Sequence, residues 1–111
     1  MPHDPHFQER IASVLAIEVI SAEPEKMFGG VAFMVNGHMS VGITNKNEFM
    51  VRVDTTRQEE LCGMPGARSM DMTGKRMKGF ILVDPNTVAD KEALREWVSI
   101  SLEHVLRLKP K

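Results

Sequence analysis

The stretch Val31-Ala32-Phe33-Met34-Val35, Asn36-Gly37, His38-Met39-Ser40-Val41-Gly42-Ile43 constrains this chain more than any other. Two runs rich in apolar and β-branched residues flank an Asn-Gly pair, which takes the positive φ angles of a type I′ turn at low cost. A two-residue loop then sets the pairing: Val35 opposite His38, Met34 opposite Met39, Phe33 opposite Ser40 and Ala32 opposite Val41. One face carries Ala32, Met34, Met39, Val41 and Ile43 and reads as core. The other carries Val31, Phe33 and Val35 beside His38, Ser40 and Gly42, and is more apolar than solvent exposure favours. Either a helix or another subunit covers that second face. On the subunit reading, Val31, Phe33 and Val35 are a candidate self-association face, with a homodimer as its product.

Helical spacing brackets this strand region. Asp4-Pro5 is an N-cap residue followed by Pro in the first turn, and Phe7, Ile11, Val14 and Leu15 make one apolar stripe, with a helix end expected near Ile17. Strand patterning runs from Lys26 to Asp54, where Phe49, Val51 and Val53 alternate with Glu48 and Arg52. Thr56-x-x-Glu59 fits a capping box and Gly63 a helix stop, so a short helix is expected over roughly 56–62. Alternation resumes at Arg68–Met72, turns at Thr73-Gly74-Lys75, and continues from Met77 to Val83. A last helix starts at the Asp90 cap. Leu94, Trp97, Val98, Ser101, Leu102, Val105 and Leu108 share its apolar face, and Ile100 falls on the opposite side. Pro110 ends the expected order. The sum is α-β-β-β-β-α-β-β-α: an α+β fold of two layers, an antiparallel sheet packed with an N-terminal and a C-terminal helix.

With 111 residues the chain suits one domain, 1–111, with its core at about 5–108. Fourteen Lys+Arg against fifteen Asp+Glu give a net charge of −1, which counts against a dedicated nucleic-acid binder. No apolar run approaches the ~18 residues of a membrane span, so no membrane association is expected. The N-terminus lacks the basic and apolar regions of a signal peptide. The single cysteine, Cys62, excludes an intrachain disulfide and suits a reducing, cytoplasmic setting. Nine methionines accompany no tyrosine and one tryptophan; Met fills irregular cores and also serves adaptable binding surfaces.

Catalytic motifs fail on inspection. Gly74-Lys75-Arg76 resembles the end of a phosphate-binding loop, but Ser69 stands where the first glycine belongs and Arg76 replaces the magnesium-binding hydroxyl. Gly37-His38-Met39-Ser40-Val41-Gly42 is one residue too long for a nucleophile elbow and lies in a hairpin. One Cys and four His residues cannot build a Cys-rich zinc site. His3 and His6 read as a solvated N-terminus, His104 as a boundary residue of the last helix, and Cys62 as a small hydrophobe. No catalytic residue, cofactor or metal is expected. The strongest polar feature is the basic hairpin 68–79, where Arg68, Lys75, Arg76 and Lys78 outnumber Asp71. These cations either guard exposed strand edges or contact an anion or acidic partner.

Lys26-Met27-Phe28-Gly29-Gly30-Val31-Ala32-Phe33 with Asn36-Gly37, then Gly66-Ala67-Arg68-x-Met70-Asp71-x-Thr73-Gly74-x-x-Met77-Lys78-Gly79-Phe80 and Trp97-Val98, resembles the TfoX (Sxy) family N-terminal domain over roughly residues 5–108. The resemblance implies a compact α+β domain. It also implies kinship with bacterial regulators of natural competence, which act with a cyclic-AMP receptor protein and carry a further C-terminal helical domain. The chain is expected to be a stand-alone version of the N-terminal domain. In the recurring motif, Gly29-Gly30 are expected to give backbone freedom for a bulge or close packing, with Phe28 in the core. The functional expectation is a small non-enzymatic, regulatory protein-interaction domain that binds a protein partner or itself. The alternative is nucleic-acid or phosphate-ligand binding through Arg68, Lys75, Arg76 and Lys78.

Overall fold

A computed structural model describes residues 5–18, 22–27, 30–44, 46–72 and 75–109, with 5, 18, 27, 70–72 and 75–77 described in backbone only. The chain runs through helix α1 (Pro5–Glu18) and strands β1 (Glu23–Met27), β2 (Gly30–Val35), β3 (His38–Ile43) and β4 (Phe49–Arg52). A 3₁₀ turn (Thr55–Arg57) then leads into the short helix α2 (Gln58–Cys62), strands β5 (Ala67–Met72) and β6 (Lys75–Val83), and helix α3 (Lys91–Val105). This is the α-β-β-β-β-α-β-β-α order read from the sequence. The six strands form one antiparallel sheet in the order β1-β2-β3-β4-β6-β5. Pro24, which lacks a backbone donor, sits in the edge strand β1, where a missing ladder bond costs least.

Two rows of side chains cross the sheet on the helix side. Register places Phe33, Val41, Val51 and Ile81 in one row and Val31, Ile43, Phe49 and Val83 in the next, all buried. Phe7, Ile11, Val14 and Leu15 of α1 and Leu94, Trp97, Val98, Leu102 and Val105 of α3 pack on these rows in one cluster. The Phe7 and Phe49 rings meet with centroids 5.7 Å apart. Each such buried side chain stabilises by about 1.5–3 kcal/mol relative to exposure. Arg10 ties α1 to the segment before α3, donating to the carbonyls of Val88 at 2.7 Å and Ala89 at 3.0 Å.

The hairpin turn forms as its residues predict: Asn36 and Gly37 have φ of 54° and 83°. Its register departs from the simple expectation. Val35 pairs with His38 and Met34 with Met39, but Phe33 pairs with Val41 and Ala32 with Gly42. Ser40 is the extra residue of a β-bulge, and Val41 and Ile43 therefore turn to the helix side instead of sharing a face with Ala32 and Met34. The expected core face is thus divided at Ser40. The face carrying Val31, Phe33 and Val35 is the true core, 2%, 2% and 0% exposed. Helices of the same chain cover it, so these three residues offer no self-association surface.

Three further expectations are adjusted. The helix after β4 begins later than the capping-box spacing suggests. Asp54 caps the preceding 3₁₀ turn, its carboxylate accepting from the Thr56 N–H at 3.0 Å and the Thr56 hydroxyl at 2.9 Å, and α2 itself starts after Arg57 with no side-chain cap. Gly63 ends α2 in a right-handed conformation, and the positive φ expected of a glycine stop occurs at Gly66, 79°. Ile100 is half-buried against the core rather than facing solvent. The Gly30 expectation has a clear geometric basis, since a Cβ there would lie 2.0 Å from the Ile43 carbonyl oxygen. Asp4, Phe28, Gly29, Thr73, Gly74 and Pro110 lie outside the described residues.

Candidate functional site

The bulge that turns Val41 inward leaves a distinct second face on the sheet. Strand register aligns Glu25, Ala32, Gly42, Met50, Leu82 and Arg68 in one continuous row across all six strands. Ala32, Met50 and Leu82 form a separate apolar cluster, buried at 0%, 7% and 6% exposure, and Met34, Met39 and Phe80 pack against it half-buried. Strand residues alone make this cluster; none of the described helices contributes to it. The methyl of Met50 lies over Gly42, within 3.0 Å of where a Cβ would stand, so the centre of the face is level.

Charge is arranged at the two ends of this face. Glu23 and Glu25 are exposed on β1 at one edge. At the other end the Arg52 guanidinium stands over the Phe80 ring, 6.0 Å from its centroid, and Arg68 pairs with Glu48. Arg68 remains 60% exposed at its side chain despite that pairing.

The basic hairpin is only partly assembled by what the structure describes. Arg68 is engaged by Glu48 and Lys78 is exposed on β6. The side chains of Lys75 and Arg76 lie outside the described residues. Above Lys78 the strand widens: Ser69 pairs with Ile81 whereas Asp71 pairs with Arg76, so residues 77–80 face one residue of β5. Gln58, buried, fills the resulting gap in the ladder. Its Oε1 accepts from the Gly79 N–H at 3.0 Å and its Nε2 donates to the Phe80 carbonyl at 3.2 Å.

Two grooves mark the described surface. One, of about 220 Å³, lies between α1 and β1 and is lined by Ala12, Leu15, Ala16, Pro24 and Phe33. The other, of about 180 Å³, gathers Asp54, Arg57, Ile100, Glu103, His104 and Arg107. Its charges answer one another, since Arg57 and Arg107 both approach Glu103, at 3.9 and 4.0 Å. The Thr56 backbone N–H, helped by the Thr56 hydroxyl, holds the Asp54 carboxyl below the usual carboxylate range. Cys62 is half-buried against the core at the end of α2, and His104 is half-buried at the rim of the second groove. Among the described residues, no three His, Cys, Asp or Glu side chains gather to hold a metal ion. No described helix is long and apolar enough to cross a membrane.

Comparison with protein families settles the kinship that the motifs and the fold indicate. The model of the TfoX N-terminal domain matches residues 19–105. The chain belongs to the TfoX N-terminal domain family. Comparison with curated proteins and with solved structures returned no significant match. Within this TfoX N-terminal domain, the sequence reasoning missed this second sheet face, because no short stretch contains it. Its residues come from β1, β2, β3, β4, β5 and β6, and the bulge at Ser40 reassigns half of the hairpin. The one available signal was Met50 and Arg52, the outward-facing partners of the buried Phe49, Val51 and Val53.

Proposed function

We propose that this TfoX N-terminal domain is a non-enzymatic, regulatory module that works by docking a protein on the half-buried Met34, Met39 and Phe80 of its second sheet face, in a reducing, cytoplasmic setting. The supporting observation is that Met34, Met39 and Phe80 stay half-buried over the buried cluster of Ala32, Met50 and Leu82, to which no described helix contributes. Sheets ordinarily bury an apolar face against another layer, and methionine-rich faces adapt to partners. The reading of nucleic-acid or phosphate binding through Arg68, Lys75, Arg76 and Lys78 gains less support, since Glu48 already engages Arg68.

Capture of tagged protein from native lysate, with and without nuclease, tests this. Wild type, Met39→Asp and Lys78→Glu are compared. A protein partner that survives nuclease and is lost with Met39→Asp supports the docking face. Material that vanishes with nuclease and with Lys78→Glu overturns it in favour of the basic hairpin.

A further inference from the structure

We infer that the protein docked on this face presents a carboxylate set among apolar side chains, and that Arg52 is the group that receives it. The inference rests on the docking reading above and adds the chemistry of the partner. Its basis is a row of side chains that stay accessible. Register pairs Glu23 with Met34, Met34 with Met39, and Arg52 with Phe80. The Val41–Val51 pairing, carried on by one residue, brings Arg52 opposite the bulge at Ser40 and alongside Met39. Met34, Met39, Arg52 and Phe80 are all half-buried, and Glu23 at the β1 edge is exposed.

Arg52 lies inside this row rather than at its rim. Its guanidinium stands over the Phe80 ring, 6.0 Å from the centroid, and among the described residues no carboxylate pairs with it. Glu48, the carboxylate just before β4, pairs with Arg68 instead. An occupant that covers Met34, Met39 and Phe80 therefore covers Arg52 as well. A purely apolar occupant would take that charge out of water with no counterion, which is strongly penalised. A carboxylate among the apolar groups removes the penalty, because a guanidinium holds it through two parallel N–H donors. The Phe80 ring already restrains the guanidinium by cation–π attraction, so less freedom is lost on binding. Lys78, exposed two residues before Phe80 on β6, adds positive charge at this end, whereas Glu23 makes the far end acidic. Four strand spacings of ~4.8 Å make the row about 19 Å long, the length of a helix of about 13 residues. The occupant is thus a short acidic, amphipathic segment of the partner.

The probe is a displayed library of random peptides of about 12 residues, long enough as a helix to span the row. It is selected on immobilised wild type, Arg52→Gln and Arg52→Glu. Peptides chosen on wild type are then titrated by fluorescence anisotropy against wild type, Arg52→Gln and Met39→Asp, with thermal melts confirming that each variant is folded. Wild type is expected to select peptides with Asp or Glu flanked by apolar residues. These are expected to bind Arg52→Gln at least about tenfold more weakly and Met39→Asp not at all. Arg52→Glu is expected to select Lys or Arg in place of the acid. Selected peptides that carry no acidic residue and bind Arg52→Gln as tightly as wild type overturn the role of Arg52. If their binding is still lost with Met39→Asp, the docking face stands without it. If no selected peptide depends on Met39, both readings fall.

Discussion

Ser101 on α3 donates its hydroxyl proton to the carbonyl of Ser40, 3.0 Å away, and the two hydroxyl oxygens lie 2.8 Å apart. The Ser101 proton is committed to the carbonyl, so the Ser40 hydroxyl supplies the proton between the two oxygens. Both residues are fully buried. A bulge removes backbone groups from the sheet ladder, and here a serine from the covering helix satisfies the one that results. The bond therefore couples the hairpin's irregular register to the helix that buries it.

Ser101→Ala leaves the Ser40 carbonyl and hydroxyl short of partners in a dry core. The expected loss is about 1–3 kcal/mol of unfolding free energy, read by urea denaturation. A loss under about 0.5 kcal/mol would mean that the bulge relaxes without its helix partner.

Gly30→Ala places a methyl 2.0 Å from the Ile43 carbonyl oxygen, against the backbone of the neighbouring strand. Neither strand can move without breaking its ladder, so destabilisation of about 2 kcal/mol or more is expected. Gly37→Ala strains only the turn, at φ 83°, and is expected to cost about 1–2 kcal/mol. Melting temperatures should fall further for Gly30→Ala than for Gly37→Ala.

Gln58→Leu keeps the volume of the buried side chain but abandons the Gly79 N–H and the Phe80 carbonyl together. A loss of about 2–4 kcal/mol is expected. Faster hydrogen exchange at Gly79 should accompany it, while exchange in β2 and β3 rises only with global unfolding.

Asp54 gives the fold a pH-dependent element. Its carboxylate is stabilised by the Thr56 N–H, so its folded-state pKa lies below the usual value of 3.8. A depressed carboxyl contributes stability that is present above its unfolded pKa and is lost as pH falls through the folded one. Asp54→Asn removes that titration. The variant should lose less stability than wild type between pH 4 and pH 2, in thermal melts taken across that range. An unchanged acid limb would show that the cap does not titrate with folding.

Much of the fold is written in short-range signals. The Asn36-Gly37 turn, the stripe from Phe7 to Leu15 and the face from Leu94 to Val105 follow from local conformational preference and helical period, and the structure keeps all three. The second sheet face is not local. Its composition depends on Ser40 being skipped in the ladder, which reverses the sides of Val41 and Ile43 and puts Val31, Phe33 and Val35 under helices. Nothing in the alternation of the hairpin marks that skip, because Ser40 is tolerated in either register. Ile100 departs from its expected place for a related reason. Helical period puts it opposite the main stripe, but Leu61 of α2 comes alongside, and both line the groove beside α3. Gln58 reads as an ordinary polar residue on a short helix until the widened strand at Gly79 gives its amide two partners.

Helices bury one face of this sheet, whereas on the other Met34, Met39 and Phe80 stay half-buried with no described helix over them, and the proposed function depends on that asymmetry. Methyl NMR with a soluble paramagnetic probe, on dilute protein with assigned Met and Val methyls, tests it most directly. Strong attenuation is expected at Met34 and Met39, with Val31, Val35 and Val41 protected. Strong attenuation at Val31 and Val35, with Met34 and Met39 protected, would contradict it.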